Sequence, residues 1–265
     1  MRKILLAILI AFSILFVKQS TSQEPPEGVL VLQPGGYAFT DQSMDFSAFT
    51  DEGITAELWF YLTDIPKDRT NRWLILGKTG EYSLAISGKS PFAWDDPNVT
   101  VYVENASYDR GGGGSNGFTG ILPEDSPLNN WVHIVFQIKG KGPVYRSIFY
   151  NGGYDGIDTL ETGNEFSNTI NPLFIGGCPD CESIQGWIGE VRISKGWRYQ
   201  QDKPKNVLMP FQPDEKTIAL WHFDEPFGAN SWEDSSGNGH TLFAEGTLSV
   251  DNKSKSATTW GDLKK

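Results

Sequence analysis

The stretch Gln185-Gly-Trp-Ile-Gly-Glu-Val-Arg-Ile-Ser-Lys-Gly-Trp-Arg-Tyr199 decides the fold. It alternates as a β-strand does, with Trp187, Val191 and Ile193 on one face and Ile188, Glu190 and Arg192 on the other. The first set reads as a core face. The second places a carboxylate beside a guanidinium. A charge under cover there needs a partner or a cation, because an unpaired buried charge is costly. The nearest candidate lies roughly forty residues downstream, in Asp234-Ser-Ser-Gly-Asn-Gly-His240. The plainer reading of Glu190 is a solvated carboxylate on the outside of a sheet.

Outward from this strand the sequence is a series of short strand-like runs separated by turn chemistry. Val29–Leu32 and Tyr37–Phe39 flank Pro34-Gly-Gly, Ile54–Leu62 is a long alternating run, and Trp73–Gly77 pairs with Tyr82–Ser87 across Lys78-Thr-Gly-Glu. Val99–Val103 follows, then Trp131–Lys139 and Ser147–Asn151 around a Gly-Lys-Gly-Pro turn, then Leu173–Gly176 and Thr217–Asp224. No window longer than about ten residues shows helical periodicity. This pattern predicts an all-β, antiparallel two-sheet β-sandwich. The 34 Phe, Trp and Tyr residues suit the space between two inner faces, so each reads as core unless it lies on a loop or an outer face.

Met1-Arg-Lys, the apolar run Ile4–Val17 and the small residues Ser20 and Ser22 compose a signal peptide over residues 1–22, too short to span a bilayer comfortably. A secreted protein is expected, or a periplasmic one in a Gram-negative host, with no membrane insertion after signal cleavage. Arg2, Lys3 and Lys18 leave with the leader and no acid does, so the net charge of −11 falls by three to −14. Such a surface repels nucleic acid and anionic lipid. Residues 23–250 fit one large all-β domain, and 251–265 form a polar C-terminal tail. The only cysteines, Cys178 and Cys181 in Cys-Pro-Asp-Cys, are expected to close a small disulfide loop. A redox pair would need a βαβ setting and a zinc site would need a second pair of cysteines.

Several segments resemble a laminin G-like domain of the concanavalin A-like lectin/glucanase superfamily. They are Tyr37-Ala-Phe with Ile54-Thr-Ala-Glu-Leu-Trp-Phe-Tyr, Asn130-Trp-Val-His-Ile-Val-Phe with Ile148-Phe-Tyr-Asn-Gly, and Leu173-Phe-Ile-Gly-Gly with Gly186-Trp-Ile-Gly-Glu-Val-Arg-Ile-Ser. Ala219-Leu-Trp-His-Phe-Asp-Glu and the Asp234 motif match a pair that often opens such domains. Here the pair comes last, and either closes the sandwich or begins a truncated second unit. The resemblance implies a jelly-roll sandwich that hosts lectins, glycosidases and adhesion modules alike.

Three chemistries follow. Glycosidases of the superfamily present Glu-x-Asp-x-x-Glu on one strand; no such run occurs, which disfavours an acid/base pair. The Gly113-Gly-Ser-Asn-Gly117 match to a nucleophile elbow lacks its following helix. Asp234, Ser236 and Asn238 before Gly239, with Glu245 twelfth, space oxygens as a calcium loop does, without an EF-hand's helices. The resemblance implies that such a Ca2+ would be structural and held by Asp234, Asn238 and Glu190; the competing reading is a plain turn in which Asp234 bonds its own backbone. Finally, Trp94 and Asp95, Tyr108 and Arg110, and Trp197 and Tyr199 each set an aromatic beside polar groups, the composition of a site for extracellular carbohydrate. Exposed aromatics on a sandwich rim also serve protein–protein adhesion.

Overall fold

The computed structural model describes residues 28–41, 45–48, 50–67, 71–88, 100–105, 118–121, 128–141, 143–160, 168–200, 210–226 and 228–245. The expected signal peptide, 1–22, and the expected polar tail, 251–265, lie outside these residues. Among them there are sixteen strands, numbered in order along the sequence, and no helix. Among the described residues, therefore, no helix is long and apolar enough to cross a membrane.

One sheet runs β1 (Leu30–Leu32), β13 (Gly186–Lys195), β3 (Ile54–Leu62), β8 (Trp131–Lys139), β9 (Val144–Tyr150) and β10 (Gly153–Leu160), with β14 (Thr217–Trp221) also on β13. The second runs β15 (Ser231–Trp232), β16 (Leu242–Glu245), β2 (Tyr37–Thr40), β11 (Leu173–Ile175), β4 (Arg72–Lys78), β5 (Tyr82–Ser87), β6 (Thr100–Asn105) and β7 (Phe118–Ile121), with β12 (Glu182–Ser183) beside β4. Every pairing between these strands is antiparallel except β12 with β4. The expected sandwich is the observed fold.

Alternation fills the space between the sheets. Ile54, Ala56, Leu58 and Phe60 of β3 and Val132, Ile134, Phe136 and Ile138 of β8 point inward, against Ile75, Leu84, Ile86, Leu173 and Ile175 of the second sheet. The outer face of β3 is left with Thr55, Glu57, Trp59 and Tyr61, and that of β8 with Trp131, His133 and Gln137.

β13 departs from the plain alternation. A bulge lies between Ile188 and Glu190, so Gly189 is the extra residue opposite β3. One additional residue exchanges the faces of everything on one side of it. Val191 and Ile193 sit in the core as expected, but Ile188 joins them, and Trp187 turns outward to stack on Tyr61 with ring centroids 4.3 Å apart. The assignment of Trp187 to the core face is thus corrected. Gly186 opens the strand at φ 148°, where a Cβ would fall on the Tyr61 carbonyl.

The last strands close this sandwich. β14 extends the first sheet along the C-terminal half of β13, and β16 pairs with β2 in the second. Cys178 and Cys181 are disulfide-bonded, in the connection between β11 and β12.

Candidate functional site

The outer face of the first sheet carries two different surfaces. The first is polar and sealed. Glu57, Glu190 and His133 are each 0% exposed. Glu57 Oε1 accepts from Arg192 Nε at 2.6 Å, and Glu57 Oε2 accepts from the Tyr199 hydroxyl at 2.7 Å. His133 Nε2 lies further off, 3.7 Å from Glu57 Oε2. Burial pushes the Glu57 pKa up, but contacts with His133, Arg192 and Tyr199 outweigh it and hold the carboxyl below its ordinary value. The same burial, with the Glu57 charge beside it, raises the Tyr199 phenol far above its ordinary value, so Tyr199 remains a donor.

The cover comes from the segment that follows β13. Gln137 Oε1 accepts from the N–H groups of Arg198 and Tyr199, fixing residues 198–199 over β8. Arg198 then forms a two-pronged ion pair with Asp214, which holds the Asp214 pKa down at about 2. Between them Phe211 lies beneath the surface, its ring 4.8 Å from the Arg192 guanidinium and edge-on to His133.

Glu190 is covered, as one reading of the sequence required, and the solvated reading is corrected. Its partners also differ from the expected ones. Oε2 accepts from the Phe211 N–H at 3.0 Å and Oε1 lies 2.9 Å from His222 Nδ1. The Asp234 turn instead bonds to its own surroundings. Asp234 Oδ1 accepts from the N–H groups of Leu220 and Ser236, and Oδ2 from the Ser236 hydroxyl and the His240 N–H. Asn238 turns its Nδ2 to the carbonyls of Thr217 and Ile218, and Glu245 lies in β16 opposite Tyr37. Each Asp234 oxygen thus accepts from two protein donors. Among the described residues no three His, Cys, Asp or Glu side chains group as metal ligands.

Of the aromatic loop candidates, Trp94, Asp95, Tyr108 and Arg110 lie outside the described residues. Tyr199 points inward, its hydroxyl on Glu57 and its ring edge-on to Phe149. Trp197 is half-buried beneath Lys139 Nζ, which sits 4.5 Å above its ring.

The second surface is aromatic and lies at the other end of the same face. Trp187, Tyr61 and Trp131 stand side by side on β13, β3 and β8, followed by Trp59 beside His133. Sequence reasoning assigned these rings to the core by default, and only the alternation of β3 and β8 could have placed Trp59 and Trp131 outside.

A two-sheet antiparallel jelly roll with polar and aromatic residues across one outer face defines a lectin-like β-sandwich. The protein belongs to the concanavalin A-like lectin/glucanases superfamily, whose laminin G-type family model matches residues 35–202. No curated protein matches it. Among solved structures it is similar to a Bacteroides ovatus protein described as a putative carbohydrate binding protein, at 16% identity over 84% of this chain and 59% of that one, with a TM-score of 0.57. It is also similar to a SAP-like pentraxin from Limulus polyphemus, at 17% identity over 65% of this chain and 71% of that one, with a TM-score of 0.42. A third is domain 4 of an extracellular arabinanase from Geobacillus stearothermophilus, in complex with arabinotriose, at 18% identity over 56% of this chain and 62% of that one, with a TM-score of 0.37. The match thus spans somewhat under two thirds of the Bacteroides protein, and at these identities the likeness is one of fold.

Proposed function

We propose that this protein is a secreted carbohydrate-recognition module that binds glycan without cleaving it. Superfamily membership supports the carbohydrate class, and the leader-like residues 1–22 support export. The observation that carries the non-catalytic reading is the state of Glu57 and Glu190. Glycoside hydrolysis needs two carboxyl groups open to one scissile bond, one of them able to deliver a proton. Here both of these outer-face carboxylates are fully buried and spent on Arg192, Tyr199, His222 and a backbone N–H. The test is a glycan array combined with a reducing-end assay on the same preparation. Binding with no release of reducing ends is the expected result, and turnover of any polysaccharide overturns it. A blank array on folded protein would favour a protein partner instead.

A calcium ion at Asp234, Asn238 and Glu190 is a separate proposal that rests on the family resemblance alone. It requires the ion to displace the Leu220 and His240 donors from Asp234. Added calcium should then raise the melting temperature and Asp234→Ala should abolish the increment; melting that ignores both calcium and chelator removes the ion.

A further inference from the structure

Among the outward-facing aromatics, Trp59 and Trp131 are half-buried, while Tyr61 and Trp187 behind them are 2% and 3% exposed. The inner two form a stack, with ring planes 14° apart, and Trp131 leans on both, 5.5 Å from Tyr61 and 6.1 Å from Trp187. Trp131 therefore rests on a rigid aromatic base. Trp59 is backed by the His133 ring at 5.1 Å. The Nε1 atoms of Trp59 and Trp131 are both buried, so what each indole shows to solvent is carbon.

Amides flank this carbon surface. Asn129, exposed, precedes β8 with φ 59°, a left-handed conformation fixed by its N–H bond to the Leu62 carbonyl. Its Oδ1 accepts from the Tyr61 hydroxyl at 3.5 Å. Asn151, also exposed and also left-handed at φ 45°, accepts from the His133 N–H through Oδ1 and bonds back to the His133 carbonyl. In both residues the Oδ1 is engaged, and among the described residues neither Nδ2 has a partner. A non-glycine residue held at positive φ is uncommon, and these two, one before β8 and one after β9, fix both carboxamides in place. Glu57 and Glu190, which point to this face, are buried and paired.

We infer that Trp59 and Trp131, with the amides of Asn129 and Asn151, form the glycan-binding platform, and that it takes a neutral pyranose segment of a polysaccharide. This rests on the carbohydrate reading above and adds its location and its charge class. Apolar C–H faces of a sugar suit the two indole surfaces, and its hydroxyls suit amide donors. None of these four residues is a cation that could hold a carboxylate or sulfate, and the net negative charge of the protein opposes one. A neutral ligand is what remains.

Affinity electrophoresis in gels containing laminarin, xylan, galactomannan or arabinan, against polygalacturonate and alginate, tests this. The wild type should be retarded by at least one neutral polysaccharide and by neither anionic one. Trp131→Ala and Trp59→Ala should each weaken that retardation about tenfold or more. Asn129→Gly keeps the left-handed backbone and removes the carboxamide, and should weaken it about threefold to tenfold with the cooperative fold retained. Phe243→Ala, on β16 of the second sheet, should bind as the wild type does. Should an alanine variant fail to fold, Asn129→Gly alone decides, since it leaves the aromatic stack intact. Unchanged retardation in the folded variants overturns the platform and leaves the carbohydrate reading standing. Retardation by the anionic polymers alone overturns the neutral class. No retardation in any gel sinks the carbohydrate reading, and the platform with it.

Discussion

At the scale of single residues, the fold commits most heavily at Glu57 and Arg192. Replacing a buried pair by apolar residues of similar shape is often tolerated, whereas removing one partner strands the other charge. Arg192→Ala should therefore destabilise the protein by about 3 to 5 kcal/mol in urea unfolding, and Glu57→Leu added to Arg192→Met should recover most of a comparable loss. If the double variant is as unstable as the single one, the pair is a structural necessity rather than a stranded-charge problem. The same carboxylate sets an acid limit. Its folded pKa lies below the ordinary 4.5 and that of Asp214 is lowered from 3.8 to about 2, so their stabilisation is complete above those ordinary values and is lost as pH falls through the folded ones. Half-exposed Asp214 contributes the smaller share, because solvent screens its ion pair. Melting temperature should be level between about pH 7 and 5 and fall below about pH 4. Glu57→Gln should begin lower and fall less steeply. The sequence disclosed that Glu190 and Arg192 were charges needing company, because strand alternation and desolvation cost are local facts. It did not disclose whose company. Arg192 takes a partner 135 residues away on β3, and Glu190 takes a histidine 32 residues on, and such distances are set by how the sheets assemble.

At the scale of elements, the long alternating strands were legible and the irregularities were not. β3, β4, β5, β8 and β13 fall where period-2 patterning put them, because each has one face that must be apolar. β10 went unread: Gly153-Tyr-Asp-Gly-Ile-Asp-Thr-Leu160 is rich in Gly and Asp, and its pairing with β9 is what makes it a strand. The bulge in β13 was equally hidden, since Trp187 and Ile188 are both apolar and either suits a core. That bulge lets one strand turn Trp187 and Glu190 to the same outer face although they are three residues apart. Deleting Gly189 should restore plain alternation, and either Trp187 and Ile188 or Glu190, Val191 and Arg192 would then face the wrong way. The expected outcome is loss of the cooperative melt in near-ultraviolet circular dichroism. A deletion variant that melts like the wild type would show that the bulge does not set the register.

At the scale of the whole molecule, the family match and the folded unit have different limits. The matched residues 35–202 reach from just before β2 to just past β13. What lies beyond supplies Phe211 and His222 to Glu190, β14 to the free side of β13, and β16 to the edge of β2. The final segment thus serves both sheets, and the Trp221 Nε1–H bond to the His240 carbonyl together with the Asp234 bond to the Leu220 N–H ties its two halves together. A graded truncation separates these contributions. A product ending at Asp224 keeps the cover over Glu190 and β14 but loses β15 and β16, so it should fold with a melting temperature lower by on the order of 10 °C. A product ending at Asp202 leaves Glu190 buried with neither its histidine nor its N–H donor, opens Glu57 and Arg192 to water, and leaves β13 and β2 with bare edges. It should show no cooperative melt and should aggregate. Cooperative melting of the Asp202 product near the wild-type temperature would mean that the matched core is self-sufficient and that the C-terminal segment only decorates it.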